Sequence, residues 1–109
     1  MQTLQQVYRI EDLEKKDSLL EIIGDKYCRV ILEALKDKPK SAMEITIETK
    51  IPISTIYRRV QMLHDNKLLT LSGVISEEGK KFFLYKSKIR GIKCNFNEGK
   101  VEVELILNN

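Results

Sequence analysis

Residues 54–61 bring Ser54, Thr55, Tyr57, Arg58, Arg59 and Gln61 together within one short stretch, "STIYRRVQ". These residue types can read nucleobases. An arginine can give guanine O6 and N7 two donors at once, a glutamine can pair bidentately with adenine, and a threonine can contact the thymine methyl. Ser54 and Thr55, set beside free N–H groups in a first helical turn, suit a phosphate. The apolar residues between them determine how they are displayed. With Ile56 at the origin and about 100° per residue of helix, Ile53, Val60 and Leu63 fall beside it. Ser54, Thr55, Arg58, Gln61 and Met62 fall on the far side, with Tyr57 and Arg59 at the two edges. A helix anchored by the first set presents the second set outward.

Charge along the chain points the same way. The net charge is only +3, but residues 38–93 hold 12 Lys and Arg against 5 Asp and Glu, a net +7. Residues 1–37 carry 6 against 8 and residues 94–109 carry 1 against 3, so each end is −2. A basic block between acidic ends suits a polyanion partner. Lys40 and Lys50, in the connections around residues 41–49, and Lys80 and Lys81, after the turn "SEEG", are further phosphate-contact candidates. Each has a plainer reading. Arg58 and Arg59 can be solvated or paired with a glutamate, Tyr57 can pack against a hairpin, and Lys80 and Lys81 can guard a strand edge. Gln61 stands far enough down the helix to miss the bases, and Glu77 and Glu78 oppose deep insertion of a hairpin tip.

The elements that must position these residues can be read in order. "SLLE" (Ser18 to Glu21) and "SAME" (Ser41 to Glu44) fit capping boxes, and Pro52 suits a first helical turn. Gly24 can end a helix and Asp25 can cap the next. Helices are thus expected from residue 18 to Gly24, over 26–37 (Tyr27, Val30, Ile31, Ala34 and Leu35 on one stripe), over 41–49 (Ala42, Ile45 and Ile47 inward) and over 52–66. After Asn66 the pattern turns to strands: "LLTLSGVIS" and "KKFFLYKS" joined by "EEGK", then "IKCNF" and "KVEVELIL" joined by "NEG". Val101, Val103, Leu105 and Leu107 alternate with Lys100, Glu102 and Glu104, as in a half-buried strand. Helices followed by two hairpins give an α+β fold: a winged helix-turn-helix with an additional C-terminal β-hairpin. The expected divisions are an arm or short helix over 1–17, the winged helix-turn-helix over 18–88, and the hairpin over 89–109, either packed on that domain or forming a dimer interface.

The stretch 18–69 resembles the arsenic-repressor (ArsR-type) winged-helix regulators. "LLEIIGDKYCRVILEAL" is similar to that family's opening helices, and "STIYRRVQML" to its recognition helix. The resemblance implies DNA contact at Thr55, Tyr57 and Arg58, and packing at Ile56, Val60 and Leu63. It departs from the family at Lys26, Cys28 and Arg59, and at Lys67, where a glycine is usual and where Asn66 is expected to supply the left-handed cap. The family's metal-binding cysteine pair is missing, and a strand pair stands where a dimerisation helix is usual.

Cys28 and Cys94 are the only cysteines and are expected to be free, mostly buried thiols, with a redox or metal sensor as the alternative. The start of the chain lacks a signal-peptide pattern and no run of about 18 apolar residues occurs, so a cytoplasmic protein with no membrane partner is expected. Catalysis is poorly supported, with a single histidine, His64 beside Asp65, and no phosphate loop, nucleophile pair or metal-ligand cluster. The sequence therefore leads to a non-enzymatic, sequence-specific double-stranded DNA-binding transcription regulator, without cofactor and with a homodimer as an option. The alternatives are a sequence-tolerant architectural DNA-binding protein and a winged-helix protein-interaction module.

Overall fold

The structure, a computed structural model, describes residues 5–108. Residues 1–4 of the expected arm lie outside the described residues. The order is β1 (Val7–Ile10), α1 (Leu13–Gly24), α2 (Lys26–Ala34), α3 (Ala42–Thr49), α4 (Ile53–Asp65), β2 (Leu69–Ile75), β3 (Lys81–Ser87), β4 (Ile89–Asn97) and β5 (Lys100–Leu107). The fold is α+β, with antiparallel sheets beside four helices.

Two expectations fail at the N-terminus. Residues 7–10 form a strand rather than a helix or an arm, antiparallel to β5, with Ile10 opposite Val103. The first helix does not start at Ser18. Asp12 caps it, its carboxylate accepting from the N–H groups of Glu14 and Lys15, so Ser18 sits inside α1 and the division at 17/18 cuts a helix. A charged Asp at the N-cap satisfies orphan N–H groups and opposes the positive end of the helix dipole, which lets α1 begin earlier.

Farther on, the local signals hold. α1 ends at Gly24, and Asp25 accepts from the Cys28 N–H as the cap of α2. Ser41 and Glu44 make a reciprocal capping box on α3. Pro52 sits at the N-cap of α4, where its missing N–H has no consequence. Between α3 and α4 the chain turns tightly because Lys50 takes a left-handed conformation, φ 64°, and buried Ile51 anchors the turn.

After α4 it is Lys67, not Asn66, that turns left-handed, with φ 62°. The Lys67 N–H reaches the His64 carbonyl and the Leu68 N–H reaches the Leu63 carbonyl, closing the helix in a Schellman arrangement.

β2 and β3 form a two-stranded hairpin, where the wing was expected, whose turn, Ser76 to Lys80, uses Gly79 at φ 81°. A bridge between Lys40 and Tyr85 ties the connection before α3 to β3. The other sheet has the order β1-β5-β4, with β4 and β5 joined through Glu98 and Gly99, both at positive φ. One core runs through all of this. Ile22, Ile31, Leu35, Ile45, Ile56 and Leu63 from the helices are fully buried together with Leu68, Leu69 and Val103. Each such side chain contributes about 1.5–3 kcal/mol on burial. Ile47, expected inward, is 68% exposed, because the short α3 buries only the Ala42–Ile45 side.

Candidate nucleic-acid interface

α4 places its apolar side as the spacing requires, with Ile56, Val60 and Leu63 buried. Opposite them Ser54, Arg58 and Gln61 are exposed, and Thr55 is half-buried. Among the described residues no hydrogen bond or ion pair engages the Arg58 guanidinium, so its five donors are open to solvent. Gln61 is partly committed, its Nε2 donating to Asp65 Oδ1 at 2.8 Å. Met62, expected outward, is partly buried and packs against the core.

Tyr57, Gln61 and His64 form one wall of a groove of about 220 Å³, and Leu71, Phe83 and Tyr85 of the wing form the other. Tyr57 is 55% exposed and close enough to Tyr85 that, after burial, its phenol is the next cause raising the Tyr85 pKa. On β3, Lys81 alternates in phase with Phe83 and Tyr85, and its ammonium lies 5.7 Å from the Phe83 ring centre. Lys80 stands exposed in the wing turn, its backbone N–H bonded to Ser76 Oγ, and Lys50 is exposed in the turn before α4. The hairpin carries exposed apolar surface: Ile75, Phe82 and Phe83 are all exposed.

Two of the candidate contact residues, Arg59 and Lys40, are engaged elsewhere. Arg59 turns inward, its Nε donating to Asp25 Oδ2 at 2.9 Å, and its guanidinium stacks 5.6 Å from the Tyr27 ring centre. It fastens α4 to the start of α2. Burial opposes the Asp25 charge, but the N–H groups at the start of α2 and the Arg59 guanidinium outweigh it, and the Asp25 pKa falls below the ordinary carboxylate value. Lys40 is also withdrawn. It is 9% exposed, bridges to Tyr85 through its backbone, and its Nζ holds Glu48 at 2.7 Å.

The two cysteines differ. Cys28 is fully buried and its thiol pKa is pushed up to about 11, first by burial and then by the Asp25 charge. Cys94 is exposed, contrary to the expectation of a buried thiol, because it lies in the run 93–97 of its strand, which is exposed throughout. Among the described residues no helix is long and apolar enough to cross a membrane, and no three His, Cys, Asp or Glu side chains converge as a metal site. Comparison of the chain with models of known protein families and with curated proteins finds no match.

Proposed function

We propose that the protein is a sequence-specific DNA-binding transcription regulator of winged-helix type. The observation that carries this reading is Arg58, unpaired among the described residues and flanked by exposed Ser54 and Gln61 on the outer face of a rigidly anchored helix. α4 enters the major groove, Arg58 and Thr55 read base edges, and Ser54 and Lys50 hold phosphates on either side of the helix start. Tyr57 stands between α4 and the wing, and Lys80 and Lys81 take the backbone beyond. The resemblance of "STIYRRVQML" to an ArsR-type recognition helix supports the same assignment.

A protein-interaction module is the second reading, favoured by the exposed Ile75, Phe82 and Phe83 on the wing. Selection from random duplex DNA at near-physiological salt, with the unmutated protein and Arg58→Ala side by side, separates the possibilities. An enriched motif that degrades at one position in Arg58→Ala is expected. Retention of DNA without enrichment would leave an architectural protein, and no retention would leave the protein-interaction module.

A further inference from the structure

β4 is an edge strand. β5 pairs along one side of it, and among the described residues no strand pairs along the other. It is 9 residues long, its one irregularity lies at its start between Ile89 and Gly91, and residues 93–97 are all exposed. A long regular edge invites another strand. Ile92, Cys94 and Phe96 share the face that Leu105, Val103 and Val101 occupy on β5, and this is the face turned to the core. Phe96 is nevertheless 74% exposed, while beside Ile92 lies an open groove of about 170 Å³ between β4 and α2, with Ile23, Leu32 and Ile89 among its walls.

We infer that β4 pairs antiparallel with β4 of a second copy, about a two-fold axis through Cys94, so that two three-stranded sheets become one continuous sheet. An axis perpendicular to the sheet keeps both core faces on the same side and makes the contact self-complementary. With Cys94 opposite Cys94, Ile92 falls opposite Phe96 of the second copy and Lys93 opposite Asn95. Each exposed Phe96 then reaches the groove beside the other copy's Ile92. Just beyond both ends of the regular ladder, Arg90, in the irregularity that starts β4, comes near Glu98 in the β4–β5 turn. Arg90 is 45% exposed, with Nη1 held by Asn108 Oδ1 at 3.2 Å and 3.9 Å from Asp37, which leaves its remaining N–H groups for Glu98. The two neighbouring registers are worse. An axis at Lys93 sets lysine against lysine, and an axis at Asn95 sets Ile92 against Glu98. The inference does not depend on what α4 binds.

The register can be tested on the full chain. Opposed Cα atoms in an antiparallel pair lie about 4.5–5.5 Å apart, within disulfide reach. Diamide, which takes up the two thiol hydrogens, is therefore expected to link two copies through Cys94, and Cys94→Ser to abolish the link. Sedimentation equilibrium is expected to show a dimer. Phe96→Asp and Glu98→Arg are each expected to raise its dissociation constant at least tenfold, with circular dichroism unchanged, and adding Arg90→Glu to Glu98→Arg is expected to restore it. A monomer at every concentration overturns the inference, as does a dimer that neither crosslinks at Cys94 nor responds to these reversals.

Discussion

Arg58 and Arg59 are neighbours with opposite fates, and they make opposite predictions. Arg58→Ala is expected to leave the melting temperature unchanged, to cost about 1–3 kcal/mol of binding to the preferred site and to relax specificity at one base. Arg59→Ala is expected to destabilise the fold by about 1–3 kcal/mol, because it leaves the partly buried Asp25 carboxylate without its cation. The same pair sets a pH dependence. Because the Asp25 pKa is lowered on folding, its contribution is fully present above the ordinary Asp value of about 3.9 and is lost as pH falls through the lower folded value. Urea unfolding of the unmutated protein and Asp25→Asn should therefore differ at neutral pH and converge in acid; a gap of constant size would remove the charge from the explanation. The helical wheel set Arg58 outward, and its side chain is exposed to solvent. The wheel set Arg59 at an edge, and the basic block offered Lys40 as a phosphate contact, but neither pattern contains their partners, Asp25 and the Glu48–Tyr85 pair, which lie on other elements.

Elements fixed by local chemistry were legible: the Ser41 box, the Gly24–Asp25 break, the alternation of β5 and the wing turn at Gly79. β1 was not, because four residues carry little pattern and their pairing with β5 spans almost the whole chain. The end of α4 was half legible. A left-handed residue was needed there, but Asn66 stays right-handed and bonds the Met62 carbonyl through its side chain, so the strain falls on Lys67. A non-glycine residue in that conformation costs about 1–2 kcal/mol, part of which a glycine returns through the greater entropy of its unfolded chain. Lys67→Gly is thus expected to stabilise by roughly 0.5 kcal/mol and raise the melting temperature by about 2–4 °C. Lys67→Val, β-branched at positive φ, should lower it. If both variants melt together, the turn is not strained. On the wing, Lys80→Ala and Lys81→Ala should each weaken binding to all duplexes alike and reduce the slope of log K against log salt by about 1 if each meets a phosphate.

At the scale of the whole molecule, the buried core does not stop where the winged helix-turn-helix was expected to stop. Val103 is fully buried against the helices, Ile89 and Ile10 are nearly so, and Ile92, Val101, Leu105 and Leu107 pack around them. Polar contacts fasten the same seam. The Ser87 N–H donates to the Leu35 carbonyl, and Asn108 Nδ2 donates to the carbonyls of Lys36 and Ser87 at 2.6 and 3.1 Å. The C-terminal hairpin is therefore part of the core and not a detachable lid, even while its outer edge stays open. Val103→Ala should cost about 2 kcal/mol, two methyl groups' worth of transfer with a cavity added. Ending the chain at residue 88 should do far more: it strips the cover from α1 and α2, leaves β1 without a partner and removes the Asn108 clamp. A chain of residues 1–88 is expected to lose its single cooperative thermal transition and to bind a dye specific for exposed apolar surface. A truncated chain that still melts sharply at the full-length temperature would show instead that α1–α4 and the wing hold together alone, with the hairpin added on their surface.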